Sequence, residues 1–173
     1  MPGLEYQSIM EKKIGRRIEN GWPMSRVVVA NSSCLIGLSK ICRLDILQKL
    51  FGSVLIPFAV YEEVVIRGAG RSGSVEVAQA DWIETRKIID LLAFKTLRLT
   101  LGAGEAEAIV LASECAADFP ILDDWRARQV ALGLELPVVG MVALLDKAAE
   151  KGLLTDLPDV LRQLRRAGFR FLN

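Results

Sequence analysis

The chain contains no histidine. That excludes histidine-ligated zinc, a Ser-His-Asp triad and a histidine general base. Cysteine is scarce: Cys34, Cys42 and Cys115 are odd in number and show no C-x-x-C spacing. They read as buried thiols in a reducing cytosol, not as a disulfide framework or a thiolate metal site. Long apolar runs are missing too. The longest uncharged stretches, residues 27–39 and 50–61, fall well below the ~20 residues that span a bilayer. The first 25 residues carry Glu11-Lys12-Lys13 and Arg16-Arg17 and lack an apolar stretch, so no signal peptide is expected. These absences predict a cytoplasmic protein with no membrane partner. Net charge is only +1, so the molecule as a whole does not advertise nucleic-acid binding, although a local basic patch is still open.

What is present fits one folded domain. The 173 residues are 51% hydrophobic, enough for a sizeable core and too apolar for disorder. Residues 1–25 read as an N-terminal extension, with Ile9, Ile14 and Ile18 at roughly helical spacing and Gly21-Trp22-Pro23 ending the segment. From residue 26 to 173 the chain alternates β-type and α-type segments. Arg26-Val27-Val28-Val29-Ala30 is a continuous apolar run, as expected of a strand buried on both faces. Ser32 or Ser33 is then a good N-cap for a helix holding Leu35, Ile36, Leu38 and Ile41. A second helix carries Leu44, Leu47, Leu50 and Phe51, and Gly52 ends it. Further strands are expected at 53–56, 82–85, 119–122 and 136–139, with an edge strand at 169–172. Helices are expected after Pro57 and at 74–80, 87–98, 105–117, 124–132, 141–150 and 157–167. The helix at 87–98 should bury Ile88, Leu91, Leu92 and the stem of Lys95 along one side. Repeated β-α units with short loops imply a mainly parallel sheet covered by helices on both faces.

Ligands of such sheets sit beyond the carboxyl ends of the strands. Acids fall there: Glu62-Glu63 after one apolar segment, Glu105 and Glu107 opening a helix, and Asp123-Asp124 after Pro120-Ile121-Leu122. The first strand ends in Asn31 instead. Carboxylates brought together repel, by ~4 kcal/mol per pair at 4 Å and an effective dielectric near 20. A bound cation reverses that sign. An all-oxygen donor set without histidine or thiolate favours Mg²⁺ or Mn²⁺ over zinc. A metal so held lowers the pKa of bound water and stabilises charge building on a phosphate. Each signal has a plainer reading. Acid pairs usually start solvated helices, and Glu105 is well explained as a first-turn acid. Asn31 is well explained as the cap of the helix after it.

The motifs, in order, resemble those of PIN domains. Val27-Val28-Val29-Ala30-Asn31-Ser32-Ser33-Cys34-Leu35 is similar to the first motif, in which an apolar strand ends in Asp followed by Ser or Thr. Ile56-Pro57-Phe58-Ala59-Val60-Tyr61-Glu62-Glu63-Val64 is similar to the second, and by register Glu63 is the matching acid. Leu101-Gly102-Ala103-Gly104-Glu105-Ala106-Glu107-Ala108-Ile109 resembles the third, where the acid precedes Ala and an aliphatic residue, which points to Glu107. Ile121-Leu122-Asp123-Asp124-Trp125-Arg126 resembles the fourth, with Asp124 as ligand and Asp123 as its neighbour at the metal. Pro137-Val138-Val139-Gly140 continues the pattern of a prokaryotic PIN-like subfamily. The resemblance implies a three-layer α/β/α fold around a parallel sheet. It also implies a Mg²⁺- or Mn²⁺-dependent ribonuclease acting on single-stranded RNA. Such proteins are often the toxin of a toxin–antitoxin pair, with a cognate antitoxin as partner, and often homodimers. The catalytic set so implied is Asn31, Glu63, Glu107 and Asp124.

Asn31 departs from the family, which has Asp there. The amide keeps an oxygen and the shape but loses a negative charge, so metal affinity should fall. The alternative reading is a PIN-like module that binds RNA or a protein without cutting. A phosphoacceptor receiver domain fits less well, because its Asp pair follows the first strand and here the pair comes late. Ser32, Ser33, Arg126 and Arg128 are the expected RNA contacts. The plainer readings are capping for the serines and a solvated face for the arginines. Trp125, beside the acids, has the π face to stack on a base.

Overall fold

The computed structural model describes residues 26–171 together with the two-residue strands Ile18–Glu19 (β1) and Trp22–Pro23 (β2). β1 and β2 pair antiparallel. Ile18 is therefore in a strand rather than the expected helix, and Ile9 and Ile14 lie outside the described residues.

A four-stranded, all-parallel sheet forms the centre, in the order β5-β4-β3-β6. Its strands are Val28–Ala30 (β3), Val54–Pro57 (β4), Ile83–Arg86 (β5) and Phe119–Ile121 (β6). The expected strand at 136–139 is reduced to one parallel bridge between Ile121 and Val139. Alternate residues along each strand point to opposite faces. Val28, Ala30, Val54, Ile56, Phe119 and Ile121 enter one core, while Val29, Leu55 and Leu122 enter the other. Both faces of the sheet are thus covered, which gives the three-layer α/β/α arrangement.

On the first face pack Ser32–Lys40 (α1), Asp45–Phe51 (α2) and Phe58–Tyr61 (α3), the last widening into a π turn over Glu62–Ile66. Ser74–Gln79 (α4) packs there too. Gly52 ends α2 at φ 76°, a left-handed conformation in which a side chain is strained. Leu91–Leu97 (α5), Ala103–Glu114 (α6) and Trp125–Gly133 (α7) cover the second face. Met141–Glu150 (α8) and Leu157–Arg166 (α9) return to the first. None of the helices in the described residues is long and apolar enough to cross a membrane.

Three expectations change. Ile88, ahead of α5, and Phe94 and Leu97 on it are half-buried against the second core, and Leu91 and Leu92 are 58% and 76% exposed. Asp90 caps α5 by accepting the N–H of Ala93, so the helix begins at Leu91 and leaves Ile88 outside it. Residues 169–171 form no strand; Phe169 instead rests on α1, where a Cβ at Gly37 would stand 2.9 Å from its ring. Of the thiols, Cys34 is buried, Cys115 half-buried and Cys42 exposed.

Candidate metal centre

The carboxyl ends of β3, β4 and β6 open into a cavity of about 530 Å³. Four acids line it: Glu63, Glu105, Asp123 and Asp124. Ser32 and Ser33 from the start of α1 line it as well, as do Lys40, Phe169 and Arg170.

Asn31 follows β3 directly and is 2% exposed. Its Oδ1 accepts the N–H of Cys34 at 3.3 Å and the hydroxyl of Ser33 at 2.9 Å. Asn31 is therefore the N-cap of α1, the job expected of Ser32 or Ser33, and its amide does not line the cavity. An Asn oxygen satisfies an orphan helix N–H as well as a serine does, and the chain already leaves the sheet at that residue.

Glu63 stands on the π turn and is exposed. Gly104, at the start of α6, comes close to it: a Cβ there would lie 3.4 Å from the Glu63 Oε2 and 3.8 Å from the Ser32 hydroxyl. Both are ordinary contact distances, so the start of α6 and the π turn meet here without a clash.

Glu105 and Glu107 part company. Glu105 folds back over Gly102 and faces the cavity. Glu107 does not line it; its Oε2 accepts the N–H of Ala59 at 2.8 Å. Pro57 precedes α3 and makes no side-chain cap, so Glu107 supplies one from a neighbouring helix. Two residues along a helix turn the side chain by ~200°, so these acids point to opposite sides. The expected ligand Glu107 thus serves α3, and its neighbour Glu105 takes the cavity.

Asp124 caps α7 through Oδ1, which accepts the N–H of Ala127 at 2.9 Å. Among the described residues its Oδ2 has no partner, and the residue is exposed to the cavity. Asp123 is more enclosed. Its Oδ1 accepts the N–H of Met141, the first residue of α8, at 2.7 Å, and among the described residues its buried Oδ2 has no hydrogen-bond partner. Burial pushes its pKa above the ordinary carboxylate range, against the pull of the Met141 N–H and the Arg128 charge. Arg128 lies across Gly140, where a Cβ would meet its guanidinium at 2.5 Å and Asp123 Oδ1 at 3.3 Å. Cys34 is fully buried, and burial, with the nearby Asp123 charge, drives its thiol pKa well up. The thiol stays protonated and offers no ligand. Arg126 lies outside this cavity, in a smaller one that shares Glu105 and Asp124 with it.

Among the described residues no three of these acids stand close enough to close a cage around an ion. The donor set is nonetheless all oxygen, and Asp123 Oδ2 is a buried carboxylate oxygen with no partner among those residues. Both suit a hard cation that keeps several waters and is held by one or two carboxylates. They do not suit zinc.

One similar solved structure is a PilT N-terminus domain protein, SSO1118, from the hyperthermophilic archaeon Sulfolobus solfataricus P2. It is 18% identical, with a TM-score of 0.49 over 70% of this chain and 93% of that one. No curated protein matches the chain. The family model DUF3368, described as a PIN domain, matches residues 27–173, and the chain belongs to the PIN-domain family.

Proposed function

We propose that the protein is a metal-dependent endoribonuclease that cuts single-stranded RNA. PIN domains are generally nucleases and typically use divalent metals. The observation that carries the reading is the acid-lined cavity at the carboxyl edge of the sheet, with one buried carboxylate oxygen, Asp123 Oδ2, unpartnered among the described residues. Asp123 and Asp124 would hold Mg²⁺ or Mn²⁺, with Glu63 and Glu105 facing it through water. The bound ion would supply a more acidic water and a counter-charge for the phosphate.

The chain's own groups do the rest. Lys40 and Arg170 line the same cavity as the acids, and their positive charge would attract the phosphodiester that the acids alone would repel. Ser32 would present its hydroxyl to it, whereas the Ser33 hydroxyl, which also lines the cavity, donates its proton to Asn31 Oδ1. Lys40 Nζ donates to the Ala167 carbonyl at 2.8 Å and so ties down the turn that carries Phe169 and Arg170. The domain of this reading is 26–173, with residues 1–25 outside it. A toxin role, a cognate antitoxin and homodimer assembly rest on the family alone, and a cytoplasmic location rests on the sequence reading.

A second reading has its own support. The oxygen of Asn31 is committed to helix capping, so the position where the family carries Asp brings no charge to the cavity. That favours a PIN-shaped module that binds without cutting. One assay separates the two. Purified protein should cut single-stranded RNA slowly with Mn²⁺, and Asn31→Asp should raise the rate. Asp124→Asn and Glu105→Gln should abolish cleavage, whereas Glu107→Gln should leave it measurable. Cleavage by Asn31→Asp alone makes the natural chain a binding module. If neither protein cuts and Asp124→Asn leaves Mn²⁺ binding unchanged, the metal site itself is refuted.

A further inference from the structure

Trp125 opens α7 directly after the cavity acid Asp124 and is 60% exposed. The same helix buries Ala127 and Ala131 completely. α7 therefore packs through alanines and turns its one large aromatic outward. Tryptophan is on average a highly buried residue, so this placement is informative. The indole has no aromatic or cationic partner among the described residues.

The ring does not stand on a bare surface. It lines a cavity of about 380 Å³ with Thr100, Leu101, Gly102 and Arg126, and this cavity meets the larger one at Glu105 and Asp124. Arg126 is exposed and has no hydrogen bond or ion pair among the described residues. A flat π face, an unengaged guanidinium and the edge of the acidic site thus share one recess.

Resting on the nuclease reading of that site, we propose that this recess seats one unpaired RNA base next to the reacting phosphodiester. The base stacks on Trp125, and the phosphate beside it meets Arg126. Every base has a π face, so stacking is tolerant of sequence, while a planar guanidinium matches the fork of a phosphate. A base in a duplex has both faces covered and cannot reach the ring. The recess would therefore make the enzyme choose single strands, and it would do so without reading a sequence.

The test is binding of a fluorescent single-stranded RNA oligonucleotide by the full chain, with Ca²⁺ in place of Mn²⁺. Trp125→Ala should weaken binding about tenfold or more, within the range measured for loss of one stacked base. Trp125→Phe, which keeps a π face, should recover most of it. A single abasic position moved along the oligonucleotide should cost the wild type a similar factor at one place and cost the Ala variant nothing there. The proposal is overturned if the Ala variant binds within twofold of wild type. It also fails if the abasic penalty is the same in both proteins at every position, or if wild type does not bind at all. Mn²⁺-dependent cleavage is scored separately. Cleavage without a Trp125 effect sinks the base seat alone, and a Trp125 effect without cleavage sinks the nuclease reading alone.

Discussion

Two aspartates bracket β6, and their surroundings differ sharply. Asp118, before the strand, is 0% exposed, and its Oδ2 accepts the N–H of Val27 at 2.5 Å. It ties the entrance of β3 to that of β6 at the edge of the sheet away from the cavity. Asp123, after the strand, spends one oxygen on α8, and its other oxygen is buried with no partner among the described residues. The same residue type, five positions apart, is fully used at one end and left incomplete at the other. An unpaired buried charge costs stability, and a fold keeps one where something outside the chain completes it. The difference separates the edge of the sheet that holds the fold together from the edge proposed to meet a ligand.

The comparison breaks most visibly at Asp118. Asp118→Ala strands the Val27 N–H inside the protein, and we expect a loss of about 2 kcal/mol in urea unfolding with an unchanged m value. If the loss is negligible, Asp118 is not the tie described. The acids of α6 give the next test. Glu107→Ala removes the cap of α3 and should cost about 1 kcal/mol, while Glu105→Ala should change stability by less than about 0.5 kcal/mol. In the cleavage assay the order should invert. Equal stability losses would mean that the two glutamates do not divide the work.

The smallest effect has the opposite sign. Asp123→Asn should stabilise the metal-free protein, because it removes a charge that burial disfavours. The raised pKa fixes the pH dependence. The folded protein holds this proton more tightly than the unfolded chain does, so the penalty is complete above the folded pKa. It is relieved as pH falls through that value toward the ordinary carboxylate range. The gap in melting temperature between wild type and Asp123→Asn should therefore close on acidification. Mn²⁺ should raise the melting temperature of wild type and not of the variant. A gap that widens in acid would contradict the assignment.

Much of this was legible in the chain. The Val27-Val28-Val29 run announces a strand buried on both faces, and the structure divides its residues between two cores. Helix 141–150 begins and ends where its pattern says. The acids at the carboxyl edge were legible as a group but not one by one. Glu105 and Glu107 both precede alanine, and a motif read by register cannot tell which side of a helix faces a cavity. That choice depends on Ala59, far away in sequence, needing a partner for its N–H. Phe169 looks like strand material, yet the missing side chain at Gly37 gives its ring a better seat. Leu91 and Leu92 have the right periodicity for burial, but Asp90 caps the helix so that it begins at Leu91 and leaves Ile88 outside it.

The π turn at Glu62–Ile66 has a consequence for anyone comparing relatives of this chain. A π turn holds one residue more than the α turn it replaces, and such turns frequently mark functional sites. The extra position works like a spacer in a gauge: remove it and the helix still closes, but everything beyond rotates by about 100°. A homologue lacking one residue here would keep its acidic letters in the alignment and aim them elsewhere. Chain length through this turn, as much as residue identity, is the character to compare.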